Sequence, residues 1–249
     1  MMRIFGIFAL SVLLPLSACM KPLPRYPSME ASKAVEVMRA RDGAIQTISA
    51  EGTVLLSNSD GSSVTLDAAI VARWPGFLRI RAWKFGQPAF DVTCTPEGLW
   101  IYLPEDARQR AGGAADLTVT ADQFRRVWGL LGPAFLAGET QANYPDPRTL
   151  VLRRAMDPET SSETLVECEV DAETLTVRSY RFIDPGGRTR QSLSLSSYRL
   201  IEPGPLLWPR VITADGDSGR INIRLREPEI NGDIPVGAFE PPRRAAKQP

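Results

Sequence analysis

No histidine occurs in the 249 residues. That absence removes the Ser-His-Asp triad, the Cys-His pair and every histidine-ligated zinc or haem site. Cysteine is almost as scarce, with three in the chain. Cys19 closes an N-terminal apolar run, and the remaining two, Cys94 and Cys168, are too few for a four-cysteine metal site. Both lie in alternating segments, on the side shared with Phe90 and Val92 and with Val166 and Val170. They either bridge in an oxidising compartment or pack as small buried hydrophobes. An excess of charge is missing too: Lys+Arg and Asp+Glu are 29 each, so net charge attracts no nucleic acid. Beyond the N-terminus no stretch is apolar enough to span a bilayer, which takes about 20 residues.

The N-terminus itself reads as an export signal. Met1-Met2-Arg3 is short and positive, and Ile4 to Leu16 is an apolar run too short for a span. Leu16-Ser17-Ala18-Cys19 resembles a bacterial lipobox, in which a small residue precedes a cysteine that takes a diacylglycerol. The expectation is a signal peptide over 1–18, cleavage before Cys19, and a lipidated cysteine bearing palmitate-type acyl chains. Pro22, Pro24 and Pro27 make 19–29 an extended, semi-rigid tether. The body, 30–242, is long enough for one core, and the polar 243–249 reads as a frayed tail.

Within the body a helix is expected over Met29–Arg41, capped by Ser28 and closed near Gly43, with Ala34, Val35 and Met38 on its apolar face. Strands then dominate. Val54 and Leu56 alternate with polar neighbours over Ala50–Ser57, as do Val64, Leu66, Ala68, Ile70 and Ala72, then Leu78, Ile80 and Ala82, then Phe90, Val92 and Cys94, then Leu99, Ile101 and Leu103. Asn58-Ser59-Asp60-Gly61, Trp74-Pro75-Gly76 and Pro96-Glu97-Gly98 punctuate them as turns. After an exposed loop over Pro104–Gly113, Thr120-Ala121-Asp122-Gln123 fits a capping box, and Phe124, Val127, Trp128 and Leu131 share one helical face. Six further strands follow, making about eleven. The fold class expected is mainly β (α+β): one strongly curved antiparallel sheet, an open half-barrel, with an N-terminal helix and a helical lid in the concave face.

This order of elements resembles the LolA/LolB family of periplasmic lipoprotein carriers and receptors. The local match is Leu78-Arg79-Ile80-Arg81-Ala82-Trp83-Lys84-Phe85-Gly86-Gln87-Pro88-Ala89-Phe90-Asp91-Val92, which is similar to the LolB segment whose loop projects an apolar residue toward the membrane. The resemblance implies that Phe85 is a membrane-contact residue. It also implies an acyl-chain groove lined by Leu66, Ile70, Leu78, Ile80, Phe90, Val92, Leu99 and Ile101, under a lid of Phe124, Val127, Trp128 and Leu131. Partners implied are acyl chains of lipids or lipoproteins, the membrane through the anchor, and a periplasmic carrier; a monomer is expected. The Cys19 signal favours the LolB side, and Met20 in place of Asp points to the outer membrane. The same alternation also describes a filled core, and the same fold serves envelope sensors and scaffolds that bind a protein partner.

Enzymatic signatures are weak. Gly216-Asp217-Ser218-Gly219 has the letters of a serine-protease site but no histidine to act as base, and reads as a turn. A calcium loop at Asp215–Asp217 fails because Arg220 stands where a glycine belongs. Glu167 and Glu169 share one side of a strand and read as solvated, and Trp83, Trp100 and Trp208 read as outer-face or rim packing. No metal, no cofactor beyond the covalent lipid, and no catalysis are expected.

Overall fold

A computed structural model describes residues 21–104, 132–155, 165–201, 204, 206–217, 219–242 and 246–248. The segment expected to be an export signal, Cys19 and the expected lid residues Phe124, Val127, Trp128 and Leu131 lie outside the described residues.

Helix α1 (Ala31–Gly43) buries Ala34, Val35 and Met38, as the periodicity predicts. It starts two residues later than expected, and its N-cap is Glu30 rather than Ser28. No side chain caps that end; the turn closes through the Ala34 amide and the Glu30 carbonyl at 3.0 Å. A five-strand meander follows: β1 (Thr47–Asn58), β2 (Ser63–Arg73), β3 (Phe77–Lys84), β4 (Gln87–Thr95) and β5 (Gly98–Tyr102). A 3-10 helix (Gly132–Ala137) leads into the second half. This comprises β6 (Gln141–Asp146), β7 (Thr149–Ala155), β8 (Leu165–Asp171), β9 (Val177–Ile183), β10 (Thr189–Ile201), β11 (Leu206–Gly216), β12 (Gly219–Ile230) and β13 (Ala246–Gln248).

The thirteen strands among the described residues form one antiparallel sheet in the order β13-β5-β4-β3-β2-β1-β12-β11-β10-β9-β8-β7-β6. The two halves join where β12 returns beside β1, with Ile48 opposite Ile230 and Asn58 opposite Gly219. Gly52 sits at that seam. A Cβ there would stand 2.1 Å from the Arg224 carbonyl oxygen, so only glycine lets the two backbones approach. β6 and β13 are the strands the sequence pattern did not predict. Ala246–Gln248, expected to fray, pairs instead with the β5 edge, Ala246 opposite Ile101.

The buried faces of both halves form a single apolar cluster running from Val54 and Ile80 through Leu150 and Phe182 to Leu193 and Ile223. A sheet this wide can share one core only by wrapping around it. Two sequence expectations are corrected here. Trp208 is not at the rim: it is 2% exposed and packs edge-on against Trp74 at 5.8 Å. Glu167 is not solvated but buried on the outer face, because arginines on both neighbouring strands close over it.

Successive turns of an antiparallel meander alternate between two ends of the sheet. One end, here the near end, holds the 74–76, 96–97, 147–148 and 172–176 connections and the exit of β12. The far end holds the 59–62, 85–86 and 184–188 turns and the end of β11 with the start of β12.

Candidate functional site

The register gathers the eight candidate groove residues onto one face. Ile70, Ile80, Val92 and Ile101 form a cross-strand row over β2 to β5. Beside it, Ala72, Leu78, Cys94 and Leu99 form a second row. A third runs from Gly52 through Ala68 and Ala82 to Phe90, so three small residues keep the sheet surface low there. Leu66 stands opposite Val54. All eight candidates are buried, with none above 6% exposure. Helix α1 caps the core from the other half. Arg39 Nε donates to the Leu136 carbonyl at 2.9 Å, and Arg41 Nη2 donates to the Leu175 carbonyl at 2.9 Å. Arg41 also holds its neighbour Asp42 at 2.7 Å, while burial raises the Asp42 carboxyl above its ordinary range.

Phe85 is placed quite differently. β3 and β4 are joined by only two residues, Phe85 and Gly86, with φ of 53° and 76°. Two successive positive φ values match the right-handed twist of a tight hairpin, and they throw the first side chain outward. Phe85 is 91% exposed, with Lys84 Nζ 5.6 Å from its ring centre. An apolar ring held in water on a rigid two-residue tip is the arrangement a surface-contact residue requires.

No group of three or more His, Cys, Asp or Glu among the described residues is placed to hold a metal ion. Cys94 and Cys168 form no disulfide. Burial pushes the Cys168 thiol well above its ordinary range, against a hydrogen bond with Tyr180.

The outer face carries a different chemistry. Glu167 accepts from Arg153 Nε at 2.8 Å and from Arg181. Burial raises its carboxyl, but the two arginine hydrogen bonds outweigh that and hold it below its ordinary range. The stabilisation is therefore complete above the ordinary glutamate range and is lost as pH falls from there through the lower value of the folded state. Glu167→Gln is expected to cost about 1–2 kcal/mol at neutral pH. Denaturant unfolding should show that difference shrinking toward zero in acid.

A similar arginine fork anchors the segment after β12. Arg79 grips Asp91 through two bonds of 2.9 and 2.8 Å, and its Nη1 donates to the Ala238 carbonyl at 3.1 Å. Phe239 packs on Phe77 at 5.3 Å, and Arg73 lies 4.3 Å over the Phe77 ring. This strap, 234–241, borders a 570 Å³ cleft against the outer face, and it leaves Val236 fully exposed. The sequence reading missed it: Pro235 and Gly237 mark a loop there but do not reveal an apolar tip.

The segment expected to be a tether is likewise not free along its length. The Tyr26 amide donates to the Glu173 carbonyl at 2.8 Å, Arg25 pairs with the Glu173 carboxylate at 3.1 Å, and Tyr26 and Met29 pack against the core.

No family model and no curated protein matches this sequence. Solved structures are similar in fold. A domain from Vibrio parahaemolyticus described as an outer-membrane lipoprotein-sorting protein superposes with a TM-score of 0.55 at 13% identity, covering 85% of this chain and 97% of its own. A LolA superfamily protein from Nitrosomonas europaea gives a TM-score of 0.55 at 12% identity, over 85% of this chain and 98% of the other. A DUF1329 family protein from Desulfovibrio piger gives 0.57 at 13%, over 86% and 98%. The chain has the LolA/LolB-like fold.

Proposed function

We propose that this chain is a lipid-anchored protein of the bacterial envelope, held by Cys19 on the periplasmic face of the outer membrane. Its curved sheet takes up an acyl chain of a lipoprotein or lipid and helps to place it in that membrane. The observation that carries this reading is the exposed Phe85 on its two-residue tip, at the margin of a continuous apolar face. The fold shared with a lipoprotein-sorting domain supports it. No bond is made or broken. An acyl chain passes from a carrier to this face, and from there to the bilayer, because each successive environment binds it better. The protein acts as a monomer, with no cofactor other than its own lipid.

The test is direct. The domain is purified without Cys19, extracted lipid is analysed by mass spectrometry, and an acyl-chain fluorophore is titrated. Bound lipid and saturable probe binding support uptake. Absence of both would favour a second reading, an envelope sensor or scaffold that binds a protein partner, which the deep burial of all eight candidate residues favours. Phe85→Glu is expected to reduce lipoprotein transfer several-fold without moving the melting temperature, because the side chain contributes almost nothing to the core. A melted variant, or unchanged transfer, would reject the contact role.

A further inference from the structure

Phe85 and Val236 are the large hydrophobic side chains left exposed among the described residues, at 91% and 105%. They lie at opposite ends of the sheet. Phe85 caps the β3–β4 turn at the far end, whereas Val236 follows the exit of β12 at the near end.

The docked tether breaks the symmetry between them. Tyr26 is fastened to Glu173 in the β8–β9 turn, at the near end. Seven peptide steps separate Tyr26 from Cys19, a reach of about 25 Å at full extension. The 11-residue strand β2 runs about 36 Å. A leash shorter than the strands, starting from the near end, holds that end toward whatever surface carries the Cys19 lipid.

We infer that the near end, with Val236 exposed on the strap beside it, lies against the membrane that holds the anchor, and that Phe85 faces away from that membrane at rest. This rests on Cys19 being lipidated. The mount suits the role. Arg79 binds the Ala238 carbonyl from a rigid Asp91 clamp, so Val236 is presented on a fixed strap rather than a loose tail. Phe77, Trp100, Phe239 and Arg73 stand behind it, rings with an apolar body and polar or charged partners, the composition that settles at a lipid interface. Asp233, Glu240 and Glu97 surround the tip, so attraction to anionic headgroups does not drive the contact, and added salt leaves it in place. Contact of Phe85 with the same bilayer then requires the tether to leave Glu173.

Nitroxide labels at Val236→Cys or Phe85→Cys, each with Cys94→Ser, test this in the full lipidated chain on phosphatidylethanolamine/phosphatidylglycerol vesicles. Both labelled positions are exposed, so the fold is kept, which thermal melting checks. The expected result is a several-fold higher ratio of oxygen to nickel-chelate accessibility at 236 than at 85, unchanged by salt. Palmitate incorporation is measured in the same preparation. If palmitate is incorporated while the label at 236 stays in water, or the label at 85 is the immersed one, this orientation is overturned and the anchor stands. If no palmitate is incorporated, the two fall together.

Discussion

Giving the chain an ordinary cleavable export signal in place of residues 1–18, with Cys19→Ala, is expected to move it from the membrane pellet to the soluble periplasmic fraction. The magnitude follows from acyl-chain transfer. Each buried CH₂ contributes about 0.8 kcal/mol, and one chain alone gives only reversible binding. Two or more chains on one cysteine make dissociation negligible, so the effect approaches complete relocation rather than a graded shift. Nothing else described in the chain replaces them: among the described residues no helix is long and apolar enough to cross a membrane. Single exposed side chains such as Phe85 and Val236 cannot hold a protein of this size on a bilayer without the lipid. Fractionation with palmitate labelling reads the result. A variant that stays with the membrane would place the anchor elsewhere.

The second large effect is on stability. Trp208→Ala is expected to lower the unfolding free energy by about 3–5 kcal/mol, while Trp208→Phe costs markedly less. Trp208 is among the largest fully buried side chains and meets Trp74 edge-on. Trp74 belongs to the turn joining β2 and β3, and Trp208 to β11, so the pair ties the two halves of the sheet across the core at the near end. Truncation leaves a cavity that rigid strands on both sides cannot close. Urea unfolding measures the loss. A change under about 1 kcal/mol would mean that the two halves do not share one core.

The strands that the sequence revealed are those with a wet side and a dry side. Leu78, Ile80 and Ala82 alternate with Arg79, Arg81 and Trp83 because one face must be buried and the other not, and that period needs no knowledge of neighbours. β6 and β13 escaped for the converse reason. Each is a sheet-edge strand with a single neighbour, and β6, with the sequence QANYPD, carries little buried apolar surface and a proline. Trp208 was misplaced because Leu206-Leu207-Trp208-Pro209 is apolar without alternation, so the pattern does not say which side faces in. Glu167 was misplaced because its burial comes from arginines on two other strands, which spacing along one strand cannot report.

For the candidate site the division is the same. The turn that carries Phe85 was legible, because Gly86, Gln87 and Pro88 follow it, but whether the ring folds back on the sheet or stands out in water was decided by the fold, which leaves it exposed. Its opposite number was not legible. Val236, the strap and the docking of Tyr26 on Glu173 depend on where distant segments meet.

The sequence by itself determined the absence of histidine chemistry, the alternating faces and the tight turns. These are local properties, set by the composition and period of short stretches. Only the tertiary structure decided that β12 closes on β1, that Trp208 lies inside, and that the tether and Phe85 occupy opposite ends of the sheet. Those outcomes come from pairing between segments far apart in the chain. There, backbone approach at Gly52 and the fit of side chains across strands choose one register among many that local pattern alone allows.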